Sequence, residues 1–457
     1  MSISKNLQKI LILLIIGLFF AGCSTGSNNN HANLTNTLII TDIHFDPFDS
    51  CGESTSLAAQ QCVAKLINNA DASSWVFPSL PMNNYGEETN QAFFESALVN
   101  LSKAIKTQNI KNIFVTGDLL SHHFPTQFAE YVPGGTQQQH TQLAINTMNY
   151  VLYKISQALP DIKMYYILGN NDTDMGDYDF PTDSFMQQIT PLIKNYMVNP
   201  ESFATNFSSA GYSVMPFNDK VNVIGLNFNP LTINNSGAAI DEQKAIQQYY
   251  WLESQLSQAK SQGKKVIILQ HEPFGMNVFD ITTQDGFDII LQPDLQQLYV
   301  ELYAQYNDVI TNYYYGHYHM ENFSVVSGLL SFSTLGFSVD FDNNPGFKIL
   351  NIDQNGQLQN FTTYFSNYEH GSINWRKLYS LNEAYGINSE QYVNYFAESI
   401  VLGNNKSWYT YVLNYAGGNL ESLNSDIPIA ASINWKYYYC SIMNFESHSY
   451  NSCISSH

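Results

Sequence analysis

The chain has 457 residues, of which 44% are hydrophobic and 14% aromatic, while only 13% are charged. That composition is ample for a buried core and excludes a disordered protein, which needs low hydrophobicity and high charge. A formal net charge of −20 with no cluster of Lys and Arg repels long polyanions, so nucleic acid is not an expected partner.

Residues 1–22 read as a leader outside the fold. Lys5 and Lys9 precede the apolar run 10–20, which meets Ala21, Gly22 and Cys23. A charged start, an apolar stretch too short for an easy membrane span and a small-residue cleavage site make up a secretory signal peptide. Phe20-Ala21-Gly22-Cys23 resembles a bacterial lipobox, in which the cysteine is acylated after cleavage; a plain secretory signal or an uncleaved anchor is the alternative. Ser24 rather than Asp follows Cys23, as is usual in Gram-negative lipoproteins sorted to the outer membrane. The expectation is an exported protein of the bacterial cell envelope, held to the membrane by a lipid anchor at Cys23. Asn, Ser and Thr make 23–36 a flexible tether. Without the leader, 39 acidic residues face 17 basic ones, a balance of −22. The four remaining cysteines, Cys51, Cys62, Cys440 and Cys453, form two local pairs separated by 11 and 13 residues. An even count outside the cytosol predicts disulfides, and neither pair has the short spacing of a cysteine zinc site.

In chain order, 37–41 is a short β-branched run that predicts a buried strand, ending in Asp42-Ile43-His44. Segments 57–69 and 89–108 read as helices, the second with Phe93, Phe94, Ala97, Leu98, Leu101 and Ile105 at helical spacing. A second buried strand at 113–116 ends in Gly117-Asp118, and His122 and His123 follow. One of these histidines can reach back over the strand end, and the other is a solvated loop residue. Residues 131–135 read as loop and 137–159 as a long helix. The strand 163–168 leads into Gly169-Asn170-Asn171-Asp172, which alone is also an ordinary turn.

Further helices are expected within 180–199, at 241–263 and at 295–306, and strands at 221–228 and 265–269. The latter ends in Gln270-His271-Glu272-Pro273. The apolar run 309–315 delivers Gly316-His317-Tyr318-His319, and short strands follow at 322–326, 329–334 and 347–352. From about 370 the character turns aromatic and helix-like without strand runs (390–401, 407–416, 435–442), which reads as a helical C-terminal cap over 366–457. In Gly316-His317-Tyr318-His319, two histidines at i and i+2 of an extended segment point to one side, and paired imidazoles suggest a divalent metal.

Taken together, Asp42-x-His44, Gly117-Asp118, Gly169-Asn170, His271 and Gly316-His317-x-His319 occur in order, each after an apolar strand. This pattern resembles the calcineurin-like metallophosphoesterases over residues 37–365. His122, the cysteine pair after the first motif and the helical cap resemble their acid sphingomyelinase-like branch. The resemblance implies an α/β fold, an αββα sandwich with two metals at the strand ends. One ion would be held by Asp42, His44 and His319, the other by Asn170, His271 and His317, with Asp118 bridging. It also implies attack on phosphorus by a metal-activated hydroxide, with His122 protonating the leaving group. Zinc is the expected metal, with iron or manganese as alternatives. Many relatives carry His where this chain has Asn171, which can donate a hydrogen bond but cannot titrate. The expected substrate is a small phosphodiester or phosphoanhydride, of the sphingomyelin, nucleotide or phosphocholine type. Gly-Asn-Asn-Asp also resembles endopolyphosphatases, although the acidic charge opposes a long polyphosphate. A surface lipoprotein that kept the fold as a binding module is the reading from another class.

Overall fold

A computed structural model describes residues 34–233, 242–277, 289–341, 343–368, 371–385, 411, 414–415, 417–418 and 435–456. The expected signal peptide, lipobox and most of the tether lie outside the described residues. Two six-stranded sheets form the centre. The first has the order β12-β11-β10-β1-β2-β3, built from β1 (Thr35–Ile40), β2 (Ile110–Val115), β3 (Lys163–Tyr166), β10 (Gly346–Ile352), β11 (Leu358–Phe365) and β12 (Arg376–Ser380). The second has the order β4-β5-β6-β7-β9-β8, from β4 (Ser213–Asn218), β5 (Val221–Gly225), β6 (Lys265–Leu269), β7 (Ile310–Tyr314), β8 (Phe323–Val326) and β9 (Leu329–Phe332).

The sheets meet through aromatic side chains: Phe114 lies 5.8 Å from Tyr314, and Phe332 5.0 Å from Phe361, ring centre to ring centre. Helices flank them: α1 (Leu57–Ile67), α2 (Gln91–Ala104), α3 (Phe124–Tyr131), α4 (Gln137–Ala158), α5 (Asp183–Ile193), α6 (Pro200–Ala210), α7 (Glu242–Ser261) and α8 (Pro293–Gln305). α2 buries Phe93, Phe94, Ala97, Leu98 and Leu101, and its Asn90 cap accepts from Phe93 N at 3.0 Å. The α/β sandwich expected from the sequence is the observed fold. No helix among the described residues is long and apolar enough to cross a membrane.

Register places the strand ends. β1, β2 and β3 run parallel, with Ile40 beside Val115 and Val115 beside Tyr166. In the other sheet Gly225 lies beside Leu269 and Leu269 beside Tyr314, again in parallel. Parallel strands bring all their carboxyl ends to one edge, so the residues that follow them are neighbours in space.

Several expectations are corrected. β1 begins at Thr35, which pairs with Ile352, so the last two residues expected in the tether belong to the sheet. The segment expected to be free of strands from 370 contains β12, an edge strand on β11. Arg376 and Lys377 deprive it of an apolar run, as suits an exposed edge. α3, α6, β4 and β11 were not expected, and Tyr131, read as loop, closes α3. Of the expected helices at 390–401 and 407–416, the first lies outside the described residues and the second largely so. The last is observed as α10 (Trp435–Met443), after the short α9 (Leu381–Tyr385) and before α11 (Ser447–Ser456). Both disulfides form as expected, Cys51–Cys62 and Cys440–Cys453, and they suit an oxidising compartment outside the cytosol.

Candidate metal centre

Each expected ligand lies a few residues beyond a parallel strand: Asp42 and His44 after β1, Asp118 after β2, Asn170 after β3, His271 after β6, and His317 and His319 after β7. The turns that carry them are unusual. Asp42, His44, Asp118, His317 and His319 all have positive φ, between 47° and 73°. Non-glycine residues avoid this left-handed region, and such strain persists at sites where the surroundings enforce it. It also corrects the expected i, i+2 geometry, which holds only for extended backbone. His317 turns its Nδ1 to Asn170 Oδ1 at 2.9 Å, while His319 turns Nε2 toward Asp42 Oδ1 at 3.7 Å. Close backbone approach makes the turn possible: a Cβ on Gly316 would stand 2.2 Å from Thr41 Oγ1.

The side chains converge on Asp118 and Asp42. Asp118 Oδ2 lies 3.4 Å from His44 Nε2 and 3.1 Å from His271 Nε2. Asp42 Oδ1 lies 3.8 Å from His271 Nε2 and accepts the His317 N–H at 2.9 Å. The outer nitrogens of the rings are fixed from behind: His44 Nδ1 on Leu120 O at 3.0 Å, His271 Nδ1 on Thr116 O at 2.6 Å, and His319 Nδ1 on Asp340 Oδ1 at 3.0 Å. A ring that donates Nδ1–H outward turns the lone pair of Nε2 inward, which is how proteins prepare a metal ligand. Burial, and then the neighbouring His122, hold the His44 imidazole well below its ordinary pKa. Burial and then His271 do the same for His317, so both rings stay neutral.

The arrangement fits cations. Asp42 Oδ2, His44 Nε2 and His271 Nε2 are buried and make no hydrogen bond. Buried polar atoms are almost always satisfied, and orphans of this kind need a partner. Imidazoles and carboxylates at these distances form three candidate ligand groups: Asp118, His271 and His317; Asp42, His44 and Asp118; and His44, His122, His319 and Asp340. The uncharged oxygen of Asn170 lies beside His317, and its amide donates to Asp177 Oδ1 at 2.5 Å.

Beyond the seven expected ligands, His122 stacks on His44 with ring centres 3.9 Å apart and lines the cleft above them. His123, the alternative, is exposed at the start of α3. Asn171, expected in catalysis, is buried and gives both its backbone N–H (2.9 Å) and its amide (3.0 Å) to the Asp118 carboxylate. Sequence reasoning missed Glu88 and Asp340, which hold His122 and His319, and Tyr178, whose hydroxyl lies 3.3 Å from His317 Nε2. None follows an apolar strand in a recognisable motif. The cleft encloses about 180 Å³ between Asp118, His122, Asp177, Tyr178, Asn277 and Phe341, among others.

The family described as calcineurin-like phosphoesterase matches residues 35–321, and the chain belongs to it. Within that family it is similar to the acid sphingomyelinase-like phosphodiesterases. Acid sphingomyelinase-like phosphodiesterase 3b of Mus musculus is 26% identical over 76% of this chain and 75% of its own length. Cyclic GMP-AMP phosphodiesterase SMPDL3A of Bos taurus is 22% identical over 91% of this chain and 89% of its own. Sphingomyelin phosphodiesterase A of Dictyostelium discoideum is 23% identical over 77% of this chain but only 57% of its own. The protein is a phosphoric ester hydrolase, and the family's fold implies a dinuclear metal site.

Proposed function

We propose that the protein is an exported, two-metal phosphodiesterase acting on small phosphodiesters, in which each ester phosphate carries one negative charge. The observation that carries the reading is the set of buried, unbonded ligand atoms, Asp42 Oδ2, His44 Nε2 and His271 Nε2, gathered around the Asp118 carboxylate. In this reading Asp42, His44 and His319 would hold one ion and Asn170, His271 and His317 the other, with Asp118 as a ligand they would share. Zinc suits the imidazole-rich donor set, with iron and manganese as alternatives. Two divalent ions bound there supply the positive charge that polarises phosphoryl oxygens and lowers the pKa of a water.

The chain's own residues do the rest. Leu120 O and Thr116 O fix the rings of His44 and His271, and Asn171 fixes both oxygens of Asp118. His122 delivers a proton to the departing alkoxide. Burial works to lower its pKa, but Glu88 and Asp340 outweigh it and hold the ring well above its ordinary value, which keeps the proton available. The relatives are named for sphingomyelin and for cyclic GMP-AMP, both phosphodiesters. Among the described residues no Lys or Arg lines the cleft, while Asp177 does. That supports a diester over a polyphosphate, whose extra charges need cations. The substrate is a small molecule and nucleic acid is not a partner.

The test is His122→Ala on esters of graded leaving ability. A nitrophenol departs as a stable anion and needs little protonation, whereas an alkyl alcohol needs a proton. The variant should lose about 10²–10⁴-fold in kcat on the alkyl ester and much less on the nitrophenyl ester. Metal content should stay normal. Equal losses on both would remove His122 from the donor role, and a rise in KM alone would make it a binding residue. Hydrolysis of polyphosphate in preference to every diester would overturn the substrate class.

We also infer that residues 1–22 are a lipoprotein signal peptide and that Cys23 carries the lipid anchor. Cys23→Ser should move the protein from the membrane fraction to the soluble fraction with its melting temperature unchanged. Retention in detergent-free membranes would sink the anchor.

A further inference from the structure

The ring of His122 is gripped by two carboxylates that no sequence motif announces. Its Nδ1 lies 2.8 Å from Glu88 Oε1 and 3.2 Å from Asp340 Oδ2, and its backbone N–H donates to the same Glu88 oxygen at 3.0 Å. The Glu88 and Asp340 side chains are only 17% and 7% exposed, so neither is a freely solvated rim charge. The ring face is fixed as well, nearly parallel to His44 at an interplanar angle of 11°. With Nδ1 occupied, Nε2 is the nitrogen left for the cleft that His122 lines. Which nitrogen of a histidine can deliver a proton is set by the hydrogen bond the other one makes. Asp340 has a second task, since its Oδ1 lies 3.0 Å from His319 Nδ1 and takes the Ser338 hydroxyl at 2.7 Å. Glu88 has no such tie to an expected ligand.

We propose that Glu88 is a positioning residue for hydrolysis: it holds Nδ1–H of His122 and so aims Nε2–H at the leaving oxygen, with Asp340 as a second prop shared with His319. The proposal rests on the reading of His122 as the proton donor. As the bond from phosphorus to the leaving oxygen breaks, the Nε2–H bond breaks and its proton goes to that oxygen. Nδ1–H stays on the ring, hydrogen-bonded to the Glu88 carboxylate, throughout. The water that adds to phosphorus releases a proton, and the ring regains one at Nε2 from solvent.

The experiment uses the full chain loaded with its metals, and a series of phosphodiesters whose leaving phenols run from nitrophenol to unsubstituted phenol. Glu88→Gln and Glu88→Asp are measured alone and on His122→Ala. Glu88→Gln should cut kcat on the phenol diester about 10–100-fold, the range found when a group orienting a functional histidine is removed. KM should hardly move, the loss should shrink toward nitrophenol, and metal content should be unchanged. Glu88→Asp, which keeps a carboxylate, should recover part of the loss. On His122→Ala, Glu88→Gln should cost nothing further, because the two act through one proton. A loss that is flat across the series, or that persists in full on His122→Ala, would overturn the role of Glu88. If instead His122→Ala is itself flat across the series, the donor reading of His122 fails, and the two failures are told apart. Should Glu88→Gln fold poorly, Asp340→Asn removes the second prop, with metal content measured beside it. A graded loss there supports the proposal and a flat one overturns it.

Discussion

Two residues after His319, the chain enters a second buried polar cluster, and the two are built on opposite rules. Lys348 Nζ, fully buried, donates to Ser333 O at 2.7 Å, pairs with Glu321 Oε2 at 3.1 Å and sits 4.2 Å from the centre of the Phe361 ring. Glu321 accepts further from the Thr363 hydroxyl at 3.2 Å and the Tyr379 hydroxyl at 2.5 Å. Its backbone is ordinary, and the void beside it is about 10 Å³, no more than a single water would use. Around Asp118, by contrast, three buried atoms of the expected ligands lack a hydrogen bond, five of the expected ligands have left-handed backbone, and a cleft of about 180 Å³ opens beside them. A closed polar cluster fixes packing, whereas an open and strained one is shaped for something that binds. The same residue types, carboxylate and cation or imidazole, serve structure in one place and chemistry in the other.

The comparison can be broken most severely at Asp118. Asp118→Asn should reduce hydrolysis to background and lower metal content, because a neutral amide cannot balance two cations. Elemental analysis and turnover of a nitrophenyl diester read both. Full metal with near-normal turnover would mean that the open cluster is not a two-metal site.

The closed cluster should answer in stability instead. Lys348→Met leaves the Glu321 charge buried without its cation and should cost about 3–5 kcal/mol in denaturant unfolding. Turnover per folded molecule should hold. Adding Glu321→Gln should restore part of the stability, since the stranded charge is then gone. If Lys348→Met left stability intact but abolished activity, the division between the two clusters would be wrong.

The smallest effect belongs to the covalent links. Replacing Cys51 and Cys62 together by Ser should cost about 3 kcal/mol, the chain-entropy value for a loop of this length. The loss should come without selective loss of metal. Free thiols on the native protein would remove the disulfide, and metal loss at unchanged stability would tie it to the site.

Sequence alone was enough for the parallel strands and the residues that follow them. Buried strands are short β-branched and aromatic runs, and the residue beyond a parallel strand lies at the sheet edge whatever the loops do, so Asp42, Asp118, Asn170, His271 and His317 could be read as one neighbourhood. The left-handed backbone of Asp42, His44, Asp118, His317 and His319 was not legible, because it is imposed by packing around the turns rather than by the residues, none of which favours it as glycine does. Nor were Glu88, Asp340 and Tyr178, which reach the site from segments with no strand period and no motif. Asn171 shows the same limit from the other side: its place in the motif was plain, but its two hydrogen bonds to Asp118 were not. β12 escaped because an edge strand needs no apolar run when only one side of it is paired. Local pattern records what a segment buries, and it marked the residues that gather at the strand ends. Which distant carboxylate or hydroxyl then grips each ring is a contact between segments, and only the folded chain decides it.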